Sequence, residues 1–133
     1  MDTISKGYLG QLIVEKAFIK NGYNLYTPVL ENGKVDLIAE KNNKYWKLQI
    51  KTIQVQHGKK NIPVRKVSHN MGQYKIKRYT SDDIDLFIGV DLETEDIYVL
   101  PVAFSSQYAS YINVSKCNNY KNNFEQLEPK EVN

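Results

Sequence analysis

The chain has 133 residues, 41% hydrophobic and 25% charged, with a net charge of +3. That length suits one domain with a real core, and no apolar run approaches the ~18 residues of a membrane span. The charge is unevenly spread: residues 41–81 hold eleven of the 18 Lys and Arg and none of the 15 Asp and Glu.

Residues 5–21 read as a helix, with Ser5 as N-cap, apolar residues from Leu9 to Phe18 at helical spacing and Gly22 as the stop. Gln11 and Glu15, four apart, share a face. Tyr23 to Pro28 reads as a first strand, followed by a turn at Glu31-Asn32-Gly33. Two alternating runs follow, Val35 to Glu40 and Lys44 to Ile53. Asn42 and Asn43 tolerate the positive φ of a two-residue hairpin turn. Opposed residues then have numbers summing to 85, which places Asp36 across from Gln49 with Lys51 on the same face. A carboxylate, an amide oxygen and an ammonium thus share one patch, a kit for holding a hard metal ion beside a phosphate. The same pattern also fits a half-buried hairpin with a solvated polar face.

Beyond the hairpin, His57 to Asn61 reads as a loop, Ile62 to Ser68 as an edge strand bearing Pro63, and His69 to Thr80 as a basic stretch with interleaved tyrosines. Folded basic segments of this kind suit a polyanion. The candidate nucleic-acid contacts are Lys59, Lys60, Arg65, Lys66, His69, Asn70, Gln73, Lys75, Lys77 and Arg78, with Arg65, Asn70, Gln73 and Arg78 as base-edge readers. Asp85 to Val90 reads as a buried central strand, Glu93 to Asp96 as a charged turn and Ile97 to Leu100 as a strand stopped by Pro101. Val102 to Ile112 reads as a second helix, and the Asn- and Lys-rich chain from Ser115 predicts poor order. One domain over 1–133 is expected, with its core near 5–56 and 82–112 and the basic insertion at 57–80. Cys117 is the only cysteine, so there is no internal disulfide and no Cys pair for zinc; His57 and His69 are too few for a histidine cluster. With no signal-peptide pattern at the N-terminus, these features point to a reducing cytoplasm, at the nucleoid through DNA.

Asp36 followed by Gln49-Ile50-Lys51 on the next strand, after a helix and Gly22-Tyr23, resembles the core of the PD-(D/E)XK nuclease superfamily. Lys6 to Gln11 is similar to the first helix of the archaeal Holliday-junction-resolvase branch and of group I intron homing endonucleases of this type. Asp83 to Val90 and Ile97 to Pro101 resemble the remaining core strands. The resemblance implies an α/β, restriction-endonuclease-like fold, a mixed central sheet flanked by helices. It implies a metal-dependent endodeoxyribonuclease with Gln11, Asp36, Gln49 and Lys51 as catalytic residues. Mg²⁺ or Mn²⁺ would be held by Asp36, Gln49 and the Ile50 backbone carbonyl. The implied substrate is double-stranded DNA, and the implied assembly a homodimer or homotetramer.

Two positions depart from the family pattern. Gln11 stands four residues after Gly7, where relatives carry Glu, and Gln49 stands at the acidic position of the catalytic strand. Asp36 is then the only anionic side chain expected at the site. Either Gln11 marks an inactivated Glu-to-Gln form, or Glu15, one turn on, takes the role. Three functions follow: a sequence-specific intron homing endonuclease first, then a Holliday junction resolvase, or a non-catalytic DNA-binding module of the same fold.

Overall fold

The computed structural model describes residues 1–31, 33–70 and 72–128. Helix α1 spans Thr3–Lys20, two residues earlier than expected. Asp2, not Ser5, is its cap: Asp2 Oδ1 accepts the Ser5 amide at 2.7 Å. An aspartate there satisfies an orphan N–H and answers the positive helix end. At the other end Gly22 takes φ +89°. The Gly22 and Tyr23 amides donate to the Ile19 and Phe18 carbonyls, both at 3.0 Å. This is a Schellman stop, and its hydrophobic contact is the edge-on Phe18–Tyr23 ring pair at 5.2 Å.

The chain continues through β1 (Asn24–Tyr26), β2 (Leu37–Lys41), β3 (Lys44–Thr52), β4 (Gln54–Gln56), β5 (Lys59–Pro63), β6 (Arg65–Asn70) and β7 (Gln73–Arg78). It ends with β8 (Leu86–Val90), β9 (Ile97–Pro101), α2 (Val102–Ser105), β10 (Tyr111–Asn113) and three short 3₁₀ turns. The main sheet has the order β1-β2-β3-β8-β9. Its β3–β8 pair is parallel and the other pairs are antiparallel, so the sheet is mixed, as expected. β8 is buried at every position, as a central strand must be.

The β2–β3 hairpin has the predicted turn: Asn42 and Asn43 take φ +53° and +65°, and Lys41 pairs with Lys44. Alternation along β3 then divides the molecule into two cores. Leu48 joins Val14 and Phe18 of α1, Leu37 and Ile88 on one face. Phe87 on the other face packs with Ile62, Ile84, Leu100 and Ile112. Gly89 belongs to this second face, where an added Cβ would lie 2.7 Å from Ile62 Cδ1. Only glycine lets β5 approach the sheet that closely.

Three expectations are corrected here. His57 and Gly58 (φ +52° and +74°) form a two-residue turn, not a loop through Asn61, and the following residues are β5. The helix expected over Val102–Ile112 is one turn; Tyr111–Asn113 instead pairs with β5, completing a sheet of order β10-β5-β4. The β-branched and aromatic residues there favour a strand. The chain after Ser115 is ordered as far as it is described. Cys117 is fully buried, and Phe124 and Leu127 pack into the α1-side core, where Phe124 meets Phe18 edge-on at 4.8 Å. Among the described residues, no helix is long and apolar enough to cross a membrane.

Candidate active site

The predicted register holds from Lys41–Lys44 to Leu37–Leu48, and there the pairing changes. The Asp36 amide donates to the Leu48 carbonyl at 2.8 Å, so Asp36 and Leu37 both address Leu48. Two residues against one is a β-bulge, a device that re-aims a side chain at the end of a ladder. Asp36 therefore does not sit directly across from Gln49, as the unbroken register expected. Its Oδ2 instead accepts the Ile50 amide at 2.8 Å. Burial raises the Asp36 pKa above the usual carboxylate range; the Ile50 amide and the Lys51 charge pull it back, and Glu31 pushes it further up.

Gln49 lies on the second core face of β3, 5% exposed and paired with Phe87 of β8. Among the described residues its Oε1 is buried without a hydrogen-bond partner. Such a group costs about 1–3 kcal/mol when left unsatisfied, and an oxygen kept in that state suits a ligand that supplies positive charge. Tyr79 packs against Phe87 edge-on at 5.6 Å. Burial raises its phenol pKa, and the charges of Asp36 and Asp83 add to this. Among the described residues no group of three or more His, Cys, Asp and Glu could hold a metal. A cation here would rest on one carboxylate, one amide oxygen and backbone carbonyl oxygen, a hard donor set that matches Mg²⁺ in kind.

Lys51, two residues beyond Gln49, lines a groove of about 1020 Å³ at the end of β3. Lys6 of α1, Lys60 of β5 and Arg65 of β6 line it too, with Asp91 and Glu93 on the rim. Lys60 is committed within the fold: its Nζ lies 2.7 Å from Asp91 Oδ2. Burial pushes the 7%-exposed Asp91 up, but the Lys60 bond and the Thr94 and Glu93 amides outweigh it, so its pKa is lowered. Arg65 stacks over the Tyr111 ring at 5.2 Å, and Arg78 Nη1 donates to the Ser106 carbonyl at 3.4 Å.

The remaining candidate contacts fall on an antiparallel ribbon, β6–β7, in which Arg65 pairs with Arg78, Lys66 with Lys77 and Asn70 with Gln73. Lys59 precedes it in β5, and Gln73, Lys77 and Arg78 are exposed. The side chains of Lys66, His69, Asn70 and Lys75 lie outside the described residues. Cations directly opposite one another destabilise a ribbon that stands alone.

Gln11 sits one residue after Gly10, whose Cβ position is 3.0 Å from Thr52 Cγ2 and Val90 Cγ1, so its turn of α1 lies on the end of β3. Among the described residues Gln11 makes no hydrogen bond to Asp36, Gln49 or Lys51. Glu15 is on the next turn, half-buried. Sequence reasoning missed Tyr79 and Asp91: both lie far along the chain from the hairpin, and only the β3–β8 and β5 packing brings them near it.

The PD-(D/E)XK endonuclease family model matches residues 1–128. Protein 5.3 of Escherichia phage T7 is 39% identical over 46 residues, covering 35% of this chain and 39% of that protein. The matched part is thus about two fifths of that relative's length. The solved structure of the bacterial homing endonuclease I-Ssp6803I superposes with a TM-score of 0.77 at 23% identity, covering 85% of this chain and 78% of that one. The two share the restriction-endonuclease-like fold. With its family model matched over nearly the whole chain, this chain belongs to the PD-(D/E)XK endonuclease family.

Proposed function

We infer that the protein is a metal-dependent, sequence-specific endonuclease of double-stranded DNA, acting as an intron homing endonuclease. The observation that carries the reading is the buried Gln49 Oε1, without a donor among the described residues, one residue before the Ile50 amide that holds the Asp36 carboxylate. Asp36, Gln49 and the Ile50 carbonyl would hold the divalent ion. When bound, such an ion polarises the phosphodiester and lowers the pKa of water. Asp36 is the sole anion of that set, so DNA phosphate is needed to complete it. Lys51, on the same strand, places an ammonium where charge develops on the phosphoryl oxygens and orients the attacking water. The Ile50 amide holds the Asp36 carboxylate in its re-aimed position throughout.

A two-stranded ribbon fits the major groove, and β6–β7 carries cations facing each other in register, which phosphates would relieve. That favours sequence readout over the shape-only reading of a junction resolvase. Each chain has one candidate centre and a duplex has two strands, so a homodimer is the minimum assembly and a homotetramer is compatible with it. The amides at Gln11 and Gln49 favour one second reading, a DNA-binding module without cleavage. Long duplex DNA and a four-way junction, each incubated with Mg²⁺, separate these. Discrete duplex fragments support the homing nuclease, junction-only nicking the resolvase, and binding without cutting the module. In Gln11→Glu, added charge at the helix should raise cleavage; no gain would exclude Gln11 as the seat of a lost acid.

A further inference from the structure

Helix α1 is apolar on two sides, about 120° apart around its axis. Its inner side packs Gly10, Val14 and Phe18 against the sheet, and Thr3, Lys6 and Gly7 line the groove. Its outer side exposes Ile4 (86%), Tyr8 (64%), Leu12 (41%) and Ile19 (60%). At 100° per residue these four fall in one exposed stripe about 80° wide, beside the packed side. A helix that is only half-covered normally keeps that side polar.

We propose that this outer stripe is a homodimer contact, in which two copies of α1 pack antiparallel about a two-fold axis near Leu12. The stripe is its own complement. In an antiparallel pair with opposed numbers summing to 23 or 24, Ile4 meets the partner's Ile19, Tyr8 meets the partner's Glu15, and Leu12 meets its own copy. The Tyr8 hydroxyl then has a carboxylate to donate to. Charges agree as well: the helix dipoles oppose each other in such a pair. Thr3, Lys6 and Gly7, which line the groove, lie outside the stripe, so pairing leaves that groove open.

The size of the contact sets its strength. An 18-residue helix is about 27 Å long, and one helix pair supplies less than the ~800 Å² per partner of a standard interface. The dimer is therefore reversible and dissociates on dilution. This inference goes beyond the nuclease reading, and it is tested without metal or DNA, so the two fail separately.

The experiment is site-directed cross-linking with a short bismaleimide, alongside sedimentation equilibrium. Cys117 is fully buried and stays silent. Leu12→Cys should cross-link to itself. Ile4→Cys and Ile19→Cys should each stay single alone and cross-link when mixed, and Tyr45→Cys, exposed near the start of β3, should take up the maleimide without cross-linking. The unsubstituted protein should gain mass with concentration, whereas Leu12→Arg, placing two cations at the axis, should remain monomeric with unchanged helical circular dichroism. A monomer at every concentration, or Ile4→Cys linking to itself as readily as Leu12→Cys, would overturn the proposal.

Discussion

The Asp36 carboxylate accepts the backbone N–H of Ile50 at 2.8 Å, across a bulge that removes Asp36 from the hairpin ladder. One amide thus fixes the direction of the only acid in the candidate centre. Burial raises its pKa, and for a carboxylate a raised folded-state value means that the folded chain binds the proton more tightly than the unfolded chain.

The first prediction concerns pH. Because Asp36 is raised, its charge costs stability above its folded pKa, and the cost is relieved as pH falls through that value. Asp36→Asn keeps an oxygen for the Ile50 amide and removes the charge. It should raise the melting temperature at pH 7 by about 3 °C and flatten its acid dependence, while abolishing cleavage. Melting curves between pH 4 and 8 check this; a fall at pH 7 would show that the ionised form stabilises the fold.

The unpartnered Gln49 oxygen separates fold from function. Gln49→Met removes a buried acceptor that bonds to nothing, so chemical denaturation should show a gain of about 1 kcal/mol while cleavage falls about 10²-fold. Gln49→Glu should lower stability without metal, through a charge placed at a buried position, and should enlarge the melting shift produced by Mg²⁺. A loss of stability in Gln49→Met would assign that side chain to structure.

Gly89 and Ile62 test the packing beneath the site. Gly89→Ala sets a Cβ 2.7 Å from Ile62 Cδ1 and should cost about 1–3 kcal/mol. Ile62→Ala frees the space, so the double variant should be less destabilised than the two single effects combined. Additive losses in urea would mean that the clash is relieved elsewhere.

On the ribbon, the exposed Lys77 should act through phosphate alone. Lys77→Ala should weaken duplex binding uniformly across sequences and reduce the slope of log affinity against log salt by about one. Arg65→Lys should cost more than its retained charge suggests, because Arg65 stacks on Tyr111. An unchanged salt slope in Lys77→Ala would take that lysine off the DNA path.

Much of the fold was legible because its signals are local. Two consecutive asparagines fix the β2–β3 register by counting, and the unbroken apolar run of β8 marks a central strand. The bulge at Asp36 was not legible, since it depends on which carbonyl one amide selects. Neither was the Lys60–Asp91 pair, whose members are 31 residues apart and meet only through β5 packing. The end of the chain misled for a related reason: Cys117, Phe124 and Leu127 are anchors diluted among asparagines and lysines, Phe124 and Leu127 joining the core between α1 and the sheet and Cys117 the core on the other face. At the candidate centre, residue types were readable, but neighbours far along the chain were not: Phe87 pairs with Gln49 across the β3–β8 ladder, and the Tyr79 phenol feels the Asp36 charge.

The most direct measurement is the Mg²⁺-dependent cleavage rate of long duplex DNA by the unsubstituted protein and by Lys51→Ala, with duplex affinity measured in parallel. Discrete fragments are expected from the first, an at least ~10²-fold slower rate from the second, and similar affinities from both. Equal cleavage rates would contradict the assignment of the Asp36, Gln49 and Lys51 cluster as the nuclease centre.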